Sequence, residues 1–140
     1  MTRMDDLELS SDLQPDNGEL NALFGAAWPD HIPRDFRPVF ARSLAWVVAR
    51  SEGRLVGYVN VAGDGGDHAF LLDPTVHPEF QRRGIGTALL DRAAELARLR
   101  GAEWLHVDFE SRLEPFYRKA GYQDTRAGLL RLRTTASRAV

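Results

Sequence analysis

One stretch limits the possible folds more than any other. Residues 68–100 read as a long apolar strand, a loop with two glycines and an amphipathic helix, in that order. The strand, His68-Ala69-Phe70-Leu71-Leu72-Asp73-Pro74-Thr75-Val76, carries a proline near its end. Proline has no N–H to give a ladder, so the strand must bulge or lose a partner near Pro74. The helix shows a buried stripe of Ile85, Ala88, Leu89, Ala93, Leu96 and Ala97, and Gly101 ends it. A further strand at 103–109 (Glu103-Trp104-Leu105-His106-Val107-Asp108-Phe109) completes a strand–helix–strand unit, which predicts a right-handed parallel crossover.

The rest of the chain supplies partners for that unit. Residues 5–10 form a short strand, and Gln14-Pro15-Asp16-Asn17 starts a helix bearing Leu20, Leu23, Phe24 and Ala27. Trp28-Pro29 breaks it. Pro33 opens a second helix with Phe36, Val39, Phe40 and Leu44 on one face, and Pro38 threatens a kink or an early stop. Residues 45–50 and 55–61 read as a hairpin. Pro115 starts a short helix that stops at Gly121; 122–125 and 129–133 are expected as last strands and 134–140 as a frayed tail. These elements predict a single α/β domain with its core over about 5–133 and helices on both faces of a mixed sheet of six to seven strands.

Composition excludes several function classes. A chain of 140 residues matches one domain. Its longest apolar runs fall short of the roughly 18 residues of a membrane span, and acids stand where a signal peptide is apolar. Cysteine is absent, which removes disulfides and thiol nucleophiles and points to the cytoplasm. A net charge of −2 argues against nucleic acid, despite Arg82, Arg83 and Arg92. No spacing such as His-Glu-x-x-His appears, so no metal is expected.

The loop Gln81-Arg82-Arg83-Gly84-Ile85-Gly86-Thr87 suits a pyrophosphate. Backbone N–H groups converge at the start of a helix, and the glycines admit a phosphate close to the backbone. Arg82 and Arg83 add charge. A Rossmann fingerprint needs a small residue where Leu89 stands, and a P-loop needs a lysine that this loop lacks.

Val76-His77-Pro78-Glu79-Phe80-Gln81-Arg82-Arg83-Gly84-Ile85-Gly86-Thr87-Ala88-Leu89-Leu90 resembles the signature of the GNAT acetyltransferase superfamily, with its Gln/Arg-x-x-Gly-x-Gly/Ala loop. Phe116-Tyr117-Arg118-Lys119-Ala120-Gly121-Tyr122 resembles the family's later Tyr-x-x-x-Gly-Phe element. The resemblance spans essentially residues 5–133. It implies a mostly antiparallel sheet with one splayed parallel pair, and acetyl-CoA as donor. The pyrophosphate would rest on backbone N–H groups of residues 82–87, with Gln81 beside them, and the pantetheine arm on Thr75 and Val76. The Val76 N–H would stabilise the tetrahedral oxyanion, and Tyr117 would protonate the leaving thiolate.

Candidate bases are Asp73, beside the bulge, and Glu110, which stands where many family members have an asparagine. His106, Asp108 and Glu110 alternate along one strand and share a side. Trp28, Asp30, His31 and Phe36 fall in the region that overhangs the acceptor cleft in the family. Trp28 and Asp30, with Asp108, could hold a cationic amine. The expected reaction is direct acetyl transfer to a primary amine, with a small cationic metabolite favoured. A peptide amine, or a module that binds acyl-CoA without catalysis, stays open. So does a homodimer through the C-terminal strands.

Overall fold

A computed structural model describes residues 6–133. The expected frayed tail at 134–140 lies outside the described residues. A five-stranded sheet runs in the order β1 (Leu7–Ser10), β2 (Ser43–Ser51), β3 (Arg54–Gly63), β4 (His68–Val76), β5 (Trp104–His106). The first four strands pair antiparallel and β5 joins β4 in parallel. The helices are α1 (Asn17–Ala27), α2 (Arg37–Phe40), α3 (Ile85–Leu99) and α4 (Glu114–Lys119). Two compact units divide after Val107, and the whole sheet belongs to the first.

Local chemistry explains where the first helices begin. Asp16 caps α1: its Oδ1 accepts from Glu19 N at 2.8 Å, and Glu19 Oε2 accepts from Asp16 N at 3.1 Å. Glu19 also pairs with the half-buried Arg50 of β2 at 2.5 Å, tying the helix start to the sheet. The second helix is shorter than its apolar spacing predicts. Pro38 is tolerated only in a first turn, so α2 starts at Arg37 and Leu44 already belongs to β2.

The sheet separates two apolar layers. Val48 pairs with Tyr58, and both join Leu20, Leu23, Phe24, Phe36 and Phe40 in the core beneath α1 and α2. Ala49 and Gly57 form the next pair and face the other way, onto α3. A Cβ built on Gly57 would lie 3.1 Å from Leu89 Cδ1 and 3.2 Å from Ile85 Cγ2. Gly57 thus lets the first turn of α3 settle on the sheet beside Val76, its partner in β4. Gly57→Val should overpack this contact and cost about 1–3 kcal/mol. At roughly 0.3 kcal/mol per degree for a domain this size, Tm falls by about 3–10 °C in a thermal melt.

The bulge falls where Pro74 requires it. Tyr58 pairs with Thr75 and Asn60 with Leu72, so two steps on β3 face three on β4. Asp73 takes a left-handed φ of 53°.

Two expectations at the C-terminal end are corrected. Among the described residues, 122–125 and 129–133 form no strand, so the sheet has five strands rather than six to seven. The alternation Leu130-Arg131-Leu132-Arg133 has strand character, but no neighbouring strand pairs with it; Leu129, Leu130 and Leu132 are 83–90% exposed. The run at 103–109 is a strand only over Trp104–His106.

Candidate active site

The loop after β4 builds an anion cradle from backbone geometry. Arg82 has φ 63° and Gly84 φ 84°, so the chain turns sharply before α3. The first bond of α3 runs from Ala88 N to Gly84 O at 3.1 Å. The N–H groups of residues 85–87 precede it and have no partner within the helix. They carry the positive end of a 15-residue helix. No neighbouring atom lies within 4 Å of a Cβ placed on Gly84, so the space above the loop is open. Ile85 contributes only its backbone, because its side chain is buried in the core. The Arg83 guanidinium lies 5.3 Å over the Phe80 ring, while Arg82 and Thr87 are exposed.

The Val76 backbone points to the same side of the sheet. His77 N donates to Val56 O at 2.8 Å, so its groups face β3. Alternation then turns the Val76 N–H and C=O away from β3, towards β5. Pairing with β5 has already ended at Phe70 and His106. β4 therefore keeps free ladder positions beyond the bulge, which is the opening that the parallel pair was expected to make. Gln81 Nε2 donates to the Val76 carbonyl at 3.2 Å, tying the cradle to the bulged strand.

A short hydrogen-bonded chain braces the bulge. Trp28 Nε1 donates to Thr75 Oγ1 at 3.3 Å, and Thr75 Oγ1 donates to the Asp73 carbonyl at 2.9 Å. Trp28 and Thr75, expected on the acceptor and donor sides respectively, meet each other directly. Trp28 remains 45% exposed. Asp73 is exposed rather than sealed by its apolar neighbours, and so is Asp30. His31 Nε2 lies 2.8 Å from Asn21 Oδ1, and its ring stacks on Phe24 at 5.5 Å.

Tyr58 lines this face and carried no signal of its own in the sequence. It is buried opposite Thr75, edge-on to Phe24 at 5.9 Å. Burial raises its hydroxyl well above the ordinary phenol range, and the Asp73 charge adds to the rise. His77 is also more than a bystander: its Nδ1 accepts from Glu79 N at 3.1 Å and caps the turn Pro78–Phe80.

The second unit holds the other candidates. Tyr117 is 3% exposed, its ring stacked on Phe109 at 4.5 Å and edge-on to Tyr122 at 5.7 Å. Burial pushes the Tyr117 hydroxyl above its usual 10, helped by the Asp108 carboxylate. Such a phenol stays protonated at neutral pH and can serve as a proton donor. Glu110 is exposed and bonds Arg112 at 2.9 Å. Among the described residues, no group of three metal-ligating side chains converges, and no helix is long and apolar enough to cross a membrane.

Known proteins resemble this chain in sequence and in fold. The acetyltransferase (GNAT) family profile matches residues 11–122. A rice protein, serotonin N-acetyltransferase 2, chloroplastic, is 30% identical over 112 residues, covering 76% of this chain and 56% of its own length. The chain spans about half the length of the curated relatives it matches. An acetyltransferase of the GNAT family from Streptococcus pneumoniae superposes with a TM-score of 0.77 at 21% identity, over 91% of this chain and 99% of its own. An aminoglycoside N-acetyltransferase in complex with CoA superposes with a TM-score of 0.72 at 16% identity, over 91% of this chain and 94% of its own.

Proposed function

Because the chain belongs to the acetyltransferase (GNAT) family, we propose that it moves an acetyl group from acetyl-CoA to a primary amine by direct attack in a ternary complex. The observation that carries this reading is the pairing of two features: a positive-φ cradle at the head of α3, and a Val76 N–H turned away from β3 just beyond a bulge. The cradle fits a pyrophosphate, held by backbone N–H groups over residues 82–87 with Arg82 nearby.

The chemistry assigns a role to each group. An alkyl amine of pKa about 10.4 arrives mostly protonated. Asp73, which stands at the bulge, serves as the base, directly or through water, with Glu110 as the alternative. The freed nitrogen attacks the thioester carbon; an N–C bond forms and the C–S bond breaks. The Val76 N–H stabilises the oxyanion, a contribution of about 3 kcal/mol for one preorganised donor. Tyr117 gives its proton to the departing thiolate.

Thiol release tests the reading. Acetyl-CoA with an amine should release CoA, and either one alone should not. Asp73→Asn should lower kcat/KM about 100-fold at pH 7. CoA binding without release for any amine would overturn the enzyme reading in favour of a binding module.

A small cationic acceptor fits the exposed Asp73, Asp30 and Trp28. A cysteine-free chain fits the reducing cytoplasm. The exposed Leu129, Leu130 and Leu132 support a homodimer contact through that segment.

A further inference from the structure

Asp73 stands in a turn that lies outside the ladder of the sheet. The paired register passes from Leu72 to Thr75 across Asp73 and Pro74. Pro74 brings no N–H, and Asp73 takes a φ of 53°, a region that glycine favours. The Asp73 side chain is exposed. Where its carboxylate stands therefore follows from the backbone at the bulge, and that backbone has to be held.

A hydrogen-bonded chain reaches that backbone from α1. Trp28 closes the helix: its N–H donates to Phe24 O at 2.8 Å, and its carbonyl accepts from His31 N at 3.1 Å. Leu20, Leu23 and Phe24 are buried and set where the helix lies. Trp28 Nε1 then donates to Thr75 Oγ1 at 3.3 Å, and Thr75 Oγ1 donates to the Asp73 carbonyl at 2.9 Å. The chain can run in one direction only. An indole N–H donates and never accepts, so Thr75 must accept there, which leaves its one proton for the Asp73 carbonyl. Thr75 is 3% exposed, so water competes poorly for its hydroxyl.

We propose that Trp28 is a positioning residue for the base. Through Thr75 it holds the turn at Asp73, and with it the carboxylate that takes the proton of the amine. The proposal rests on the acetyl-transfer reading above, with Asp73 as the base. Trp28 acts here through its Nε1, whereas contact with a cationic acceptor would use the face of its ring. Phenylalanine keeps a ring and removes the N–H, so Trp28→Phe separates the two roles.

Thiol release at saturating acetyl-CoA, with spermidine or n-propylamine as acceptor, reads the effect. Trp28→Phe should lower kcat about tenfold, in the range of one lost hydrogen bond, with the amine KM within about twofold. Thr75→Val should do the same. Thr75→Ser restores the hydroxyl and should recover about half of the wild-type kcat or more. In an Asp73→Asn background Trp28→Phe should cost less than about twofold, because it acts through Asp73. A raised amine KM with kcat intact, or a full tenfold loss on top of Asp73→Asn, would overturn the proposal. Thermal melts of Trp28→Phe, Thr75→Val and the double variant read the chain without turnover. Losses in Tm that do not add support it, and losses that add overturn it. No release by wild type with either amine would count against the transferase reading, and the melts would still decide the chain.

Discussion

Tyr117→Phe should lower kcat about 100-fold and leave the KM for acetyl-CoA within twofold. Loss of one positioned proton donor is typically worth 10²–10⁴-fold. The phenylalanine keeps the ring stacked on Phe109, so the fold should survive and Tm should stay within a few degrees. The pH profile separates catalysis from packing. Burial and Asp108 raise the hydroxyl above its usual 10, so the wild-type enzyme should hold its donor proton through neutral pH and lose it only above pH 10. A residual rate in Tyr117→Phe that still fell on that limb would assign the limb to another group. A kcat unchanged by the substitution would leave Tyr117 a packing residue only.

Gly84→Val should abolish CoA binding at micromolar concentration, raising Kd about 30–100-fold. The position has φ 84°, which a β-branched residue adopts only under strain, at a cost of roughly 1–2 kcal/mol. The new side chain also enters the open space above the cradle, where the pyrophosphate would approach the backbone. Weakening two or three charge-assisted hydrogen bonds to the phosphates at once gives the stated range. Gly84→Ala should show the strain with less of the obstruction. Equilibrium titration with free CoA measures both variants, and a Kd unchanged in Gly84→Val would place the cofactor elsewhere.

Much of the donor half was legible in the sequence because it rests on local rules. Pro74 demands a bulge wherever it falls in a strand, and the bulge is there. Gly84 marks a positive φ, and the stripe from Ile85 to Ala97 marks the helix that follows. The acceptor half depends on contacts made far along the chain. Trp28 meets Thr75 across 47 residues, and neither carries a sign of the other. Leu72 and Phe70 belong to a run that reads as buried strand, yet they are 38% and 40% exposed. Gly57 stands in an apolar strand because α3 approaches it closely on one face. The last strands, expected at 122–125 and 129–133, failed for the same cause in reverse: the pattern alternates over Leu130–Arg133, but a strand needs a neighbour as well as a pattern.

Thermal unfolding with and without free CoA tests the central claim most directly, with ATP and NAD as controls. Ligand at 100 times its Kd adds about 2.7 kcal/mol. For a domain of this size that corresponds to a rise of about 9 °C. The account predicts that rise with CoA and acetyl-CoA, and none with the two controls at equal concentration. A melting temperature unmoved by millimolar CoA would contradict it, along with the roles given to the cradle, Val76 and Tyr117.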